Sequence, residues 1–118
     1  MKSDEAIDNF FGRNGKKRLN CAQSVAAVFI NNGFFSEEDF FDLKNCGFGK
    51  APQGYCGSVY AAHCILGKVS KAKAEKFNNE FIAYAKFLTC KEIRMMEKIK
   101  CFQTVKKATE LIEKILML

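Results

Sequence analysis

Apolar residues recur along most of the chain at three- and four-residue steps, and no segment sustains the two-residue alternation of a half-buried strand. The pattern predicts an all-α fold, a compact bundle of about five or six helices, with residues 1–118 forming one helical, cysteine-containing domain. Ser3 is placed to cap a short helix carrying Ile7, Phe10 and Phe11, which breaks near Gly12 and Gly15. Asn20 caps a second helix running to about Asn32, where Gly33 is the stop signal. Ser36, followed by Glu37, Glu38 and Asp39, opens a third whose acidic first turn suits the helix dipole.

Asn, Gly and Pro then punctuate residues 45–55, and Pro52 pushes Ala51 out of the helical region, so this stretch is a loop. A helix restarts near Cys56 and ends around Gly67. Ser70 caps a long helix to about Leu88, with Phe77, Phe81, Tyr84 and Leu88 on one face. Thr89 and Glu92 have the spacing of a capping box, marking a further helix or turn. The last helix starts near Cys101 and runs almost to the end.

Composition adds a constraint. With 118 residues, 48% apolar content and 12 Phe, the chain can build a core without disulfides or a metal to hold it. Six cysteines therefore need another explanation. The first residues mix charged and apolar types, with no run resembling a signal peptide, and no stretch reaches the roughly 20 apolar residues of a membrane span. A cytoplasmic location is expected, where clustered cysteines usually serve metal binding or redox chemistry rather than structural disulfides.

The net charge of +6 arises in residues 57–118, where lysines are interspersed with glutamates. Three arginines, Arg13, Arg18 and Arg94, and one tight cluster, Lys16-Lys17-Arg18, are too little for a basic reading face, so nucleic-acid binding is not expected.

The placement of four cysteines is the most informative feature. Cys21 follows the cap Asn20, Cys90 follows the cap Thr89, and Cys56 and Cys101 fall where two more helices start. Unpaired amides and the positive dipole end at such positions favour a thiolate, so lowered cysteine pKa values are expected there. Cys21 heads a stripe of Val25, Val28 and Phe29. Cys101 heads Val105, Ala108, Ile112 and Ile115, and Cys56 aligns with Tyr60 and Cys64. If these stripes face one core, the four thiols converge at one end of the bundle.

A single cysteine is more often a small buried hydrophobe than a reactive group. That reading suits Cys64, which lies mid-helix, while Cys46 lies in the loop and stays open. No Cys-x-x-Cys occurs, which removes thioredoxin-type motifs and zinc knuckles. Cys56 and Cys64 on one helix would be about 12 Å apart, beyond the reach of a disulfide. His63 is the only histidine and sits mid-helix, where packing or exposure is expected. The glycines around Gly47 and Gly49 follow no strand and precede no Gly-Lys-Ser/Thr, so they form a tight loop rather than a phosphate cradle. Met95 and Met96 are expected to fill core or turn space.

Asn20-Cys21-Ala22-Gln23-Ser24-Val25, the glycine-rich loop, Cys56-Gly57-Ser58-Val59-Tyr60-Ala61, and then Cys90 and Cys101 before a terminal helix resemble the C_GCAxxG_C_C family of redox-active proteins. The resemblance runs from about Asn20 to Ile112. It implies that Cys21, Cys56, Cys90 and Cys101 are the family's four cysteines. Ser58 stands where the motif has alanine and Ala61 where it has glycine, and Cys46 and Cys64 are additions to the pattern. Similar segments also resemble part of an iron–sulfur-containing cytochrome type, although no Cys-x-x-Cys-His haem site is present.

Three readings follow. In the leading one the chain is a thiol-dependent oxidoreductase needing no cofactor, with Cys21, Cys56, Cys90 and Cys101 as the catalytic set. Cys56 would attack and Cys21 resolve, against a thiol/disulfide protein or small-molecule redox partner. In the second, the same four cysteines ligate an iron–sulfur cluster or zinc. In the third the chain is a noncatalytic helical interaction module.

Overall fold

The computed structural model describes residues 2–30, 33, 35–47 and 49–117. Among them seven α-helices follow one another: α1 (Lys2–Phe11), α2 (Cys21–Ile30), α3 (Glu37–Asp42), α4 (Gly57–Gly67), α5 (Lys71–Ala85), α6 (Cys90–Met95) and α7 (Cys101–Leu116). The all-α expectation stands, but the count exceeds the expected five or six. The surplus comes from two six-residue helices that side-chain caps sustain as full helices. Ser36 Oγ accepts from the Asp39 N–H at 3.0 Å, and Thr89 Oγ1 accepts from the Glu92 N–H at 3.4 Å.

Several boundaries differ from the sequence reading. Ser3 lies inside α1 with its side chain buried, so packing rather than capping fixes it. The expected end of α2 at Asn32, like Phe48 in the loop, lies outside the described residues; among those described, Ile30 is the last helical residue of α2 and Gly33 lies in a turn at φ +76°. The long helix α5 stops at Ala85 rather than Leu88, because Lys86 adopts φ +69° and donates its N–H to Ile82 O at 2.8 Å. That left-handed residue reverses the chain so that Leu88 can meet Cys56. The loop 45–55 holds two short 3-10 turns, Leu43–Asn45 at its entry and Pro52–Gly54 near its exit.

The packing follows from composition. α2 and α4 are apolar almost all round, the signature of a buried helix, and they lie against each other. α7 packs against α1, α2, α4 and α5, presenting Val105, Ala108 and Ile112 with no solvent exposure. Phe77 and Phe81 of α5 are fully buried and stacked, with ring centroids 5.5 Å apart. Tyr84, expected on the same face, is instead exposed. The buried apolar side chains join in a single core cluster, and the radius of gyration is 12.7 Å. No helix among the described residues is long and apolar enough to cross a membrane.

Two connections position the thiols. Tyr55 and Thr89 form an isolated antiparallel bridge, and the Cys56 N–H donates to Leu88 O at 2.8 Å. The segments that open α4 and α6 are thereby held side by side. At the start of α2, Asn20 Nδ2 donates to Leu43 O and Lys44 O, both at 3.0 Å, tying α2 to the loop before Cys46.

Candidate functional site

Each of the four cysteines stands at a helix start, as the sequence suggested. Cys21, Cys90 and Cys101 are first residues of α2, α6 and α7, and Cys56 is the N-cap of α4. Side chains cap the helices of Cys21 and Cys90, whereas Cys56 caps α4 without a side-chain hydrogen bond. Asn20 Oδ1 accepts from the Gln23 N–H at 2.7 Å while Gln23 Oε1 accepts from the Asn20 N–H at 3.4 Å. Before Cys101, the Lys100 N–H donates to Gln103 Oε1 at 2.8 Å.

All four then line one cavity, together with Phe10, Gly57, Ile93, Arg94, Ile99 and Thr104. It measures about 20 Å³, room for roughly one water molecule. The conditional expectation of convergence is met in this sense: four elements distant in sequence bring their thiols to one small, largely apolar space. Cys21, Cys56 and Cys90 are buried and Cys101 is half-buried.

Gly57 makes the arrangement feasible. A Cβ built there would collide with Cys21 Sγ, and would lie 2.9 Å from the Cys46 carbonyl oxygen and 3.1 Å from the Ala22 nitrogen. The residue following Cys56 therefore has to be glycine for α2 and α4 to meet with the Cys21 thiol between them. Ser58, the next residue, is fully buried and shares a 3.1 Å hydrogen bond with Thr104. The Thr104 hydroxyl proton goes to Cys101 O at 2.7 Å, so Ser58 is the donor in that pair. Ser58 thus links α4 to the first turn of α7, a role that an alanine there could not fill.

The electrostatics overturn part of the sequence reading. Burial pushes the Cys90 thiol above its ordinary value, helped by the nearby Cys56 and opposed by a hydrogen bond and charge from Arg94. Burial likewise raises Cys101, with Cys90 and Cys56 adding to it and Arg94 opposing. For these two, removal from water outweighs the pull of helix-start amides, the reverse of the lowered values expected.

Arg94 lines the same cavity and is the candidate residue that sequence reasoning passed over. It lies four positions after Cys90 on α6, and this i, i+4 spacing is the signal that could have marked it. Arg94 and Cys90 also line a second, open groove of about 500 Å³ with Gly49, Lys91, Met95 and Glu97. Met95, expected to fill core or turn space, is exposed at this rim.

The other two cysteines lie elsewhere. Cys46 is buried in the loop, with Sγ 3.9 Å from Asp42 O. Cys64 is half-buried and interacts with Tyr60, in a surface pocket that also includes Asp39 and Lys68. Burial raises both thiols. The proposed stripe of Cys56, Tyr60 and Cys64 therefore divides, because Cys56 has non-helical backbone angles and borders the four-thiol cavity instead. His63 hydrogen-bonds Asn78 through Nε2 and packs edge-on against Tyr55, in keeping with a packing role.

Among the described residues no three His, Cys, Asp or Glu side chains are placed to hold a metal ion. The four thiols surround a space without closing on one point. No family model, curated protein or solved structure matches this chain.

Proposed function

We propose that this protein is a thiol redox protein in which Cys21, Cys56, Cys90 and Cys101 exchange electrons with a disulfide partner. The observation that carries the reading is the meeting of four helix-start cysteines around a single cavity. A thiolate of the set attacks the substrate disulfide, forming a mixed disulfide as the substrate S–S bond breaks and the first substrate thiolate leaves. A second protein thiol then attacks the mixed disulfide. One protein disulfide forms, the second substrate thiol leaves, and two electrons have passed from protein to substrate. A dithiol reductant restores the starting state. Burial withholds thiolate stabilisation from reduced Cys90 and Cys101, which favours giving electrons over taking them.

The resemblance to the C_GCAxxG_C_C family points the same way, since its four cysteine positions coincide with the cavity cysteines. A metal or iron–sulfur site would draw on the same side chains. Among the described residues, no three His, Cys, Asp or Glu side chains are placed to hold one.

The test is stoichiometric oxidation of the reduced protein by a disulfide without oxygen. Two protein thiols should disappear for each substrate disulfide consumed. The joint variant Cys46→Ser with Cys64→Ser should retain this reaction, and Cys21→Ser with Cys56→Ser, Cys90→Ser and Cys101→Ser should lose it. Equal reaction in the two variants would contradict the proposal, as would slow, unselective alkylation of all six thiols, the behaviour of an interaction module. Stoichiometric metal in protein purified without oxygen would favour the metal reading.

A further inference from the structure

Cys90 differs from its three partners in position. It borders the inner four-thiol cavity and also the open groove outside, whereas Cys21, Cys56 and Cys101 do not line that groove. Gly49 forms part of the groove wall. A Cβ built there would lie 3.4 Å from Cys90 Cβ and 3.8 Å from its Sγ, so the loop lies against the Cys90 side chain. Lys91 and Arg94 supply two positive charges, Glu97 one negative charge, and Met95 an exposed thioether. The volume of about 500 Å³ falls within the range of small-molecule sites. Arg94 lines both spaces beside Cys90, so its charge lies where a substrate sulfur must approach.

Building on the thiol-exchange reading, we propose that Cys90 is the thiol that meets the substrate, and that Lys91 and Arg94 select a small disulfide bearing carboxylates. The Cys90 thiolate attacks one sulfur of the substrate, its proton having passed to solvent. The Cys90–substrate mixed disulfide forms, and the second half of the substrate leaves as a thiolate that takes up a proton. A cavity thiol, Cys56 or Cys101, then displaces the bound half, leaving a protein disulfide and a second small thiol. Arg94 is a positioning residue here. It holds the carboxylate end of the substrate and stabilises the Cys90 thiolate by charge and hydrogen bond.

The experiment compares oxidised glutathione, which carries carboxylates, with cystamine, a disulfide carrying amines, on the reduced full chain in low salt. Early mixed disulfides are trapped in acid and located by mass spectrometry. The expected result is a first adduct on Cys90 and a rate advantage of about tenfold for oxidised glutathione, shrinking as salt is added. In Arg94→Gln the advantage should fall several-fold and the rate–pH profile should move to higher pH, with Arg94→Lys restoring part of both. Arg94 is exposed, so neither change threatens the fold, and unchanged helicity verifies this. A first adduct on another cysteine, or cystamine reacting as fast, would overturn the assignment while leaving thiol exchange intact. Failure of the wild-type protein to exchange with either disulfide would overturn both.

Discussion

The two groups of cysteines share a residue type but differ in how the fold places them. Cys90 and Cys101, like Cys46 and Cys64, are pushed upward by burial. In one group, caps and a backbone bridge bring four sulfurs to a common cavity with an arginine at its edge. In the other, Cys46 is held by a local carbonyl contact and Cys64 by Tyr60, with no comparable gathering of helix starts. Burial alone therefore does not mark a reactive thiol here. Convergence on one cavity distinguishes the first group, and within that group only Cys90 also borders the open groove.

The comparison is broken most forcefully at the glycines. Gly57→Ala drives a methyl group into Cys21 Sγ and the Cys46 carbonyl, and should cost about 3 kcal/mol, the upper part of the usual overpacking range. Gly67→Ala on the same helix meets nothing within 4 Å and should stabilise by up to about 1 kcal/mol through helix propensity. Urea unfolding of both variants measures the contrast, and equal effects would mean that α2 and α4 do not meet through Cys21.

A smaller effect tests the link between α4 and α7. Ser58→Ala removes the hydrogen bond to Thr104 but leaves Thr104 bonded to Cys101 O, so a loss of about 1 kcal/mol is expected in the same assay. Lys86→Gly relieves a left-handed residue and should raise stability by about 1 kcal/mol.

The pH dependence sharpens the comparison further. A thiol whose pKa is raised by folding holds its proton in the native state after the unfolded chain has begun to lose it. Its contribution to stability is complete below the unfolded value and is lost as pH rises through the folded one. With an ordinary value of 9.0, the wild type should lose stability as pH climbs past about 9. Replacing Cys90 and Cys101 by alanine should flatten that decline, and replacing Cys46 and Cys64 should flatten it too. Only the first pair of changes should also remove disulfide exchange. Unfolding midpoints and exchange rates measured across pH separate the two effects.

Much of the architecture was legible because it is local. Ser36, Ser70 and Thr89 announced helices through caps that depend on neighbours three residues away, and the stripe from Cys101 through Val105, Ala108, Ile112 and Ile115 matched the buried face of α7. The placement of four cysteines at helix starts was legible for the same reason. What remained hidden depends on tertiary packing. Desolvation of Cys90 and Cys101 reverses the shift that helix-start amides alone suggest, and no local pattern reports the depth of burial. Arg94 gains its place because the Tyr55–Thr89 bridge sets α6 beside α4. Lys86 turns left-handed where helical periodicity alone would continue.

The measurement closest to the central claim is disulfide mapping of the protein after oxidation by one equivalent of oxidised glutathione without oxygen. The account predicts a protein disulfide formed within the set Cys21, Cys56, Cys90 and Cys101, with Cys46 and Cys64 left as thiols. A Cys46–Cys64 disulfide, or oxidation spread evenly over all six cysteines, would contradict it.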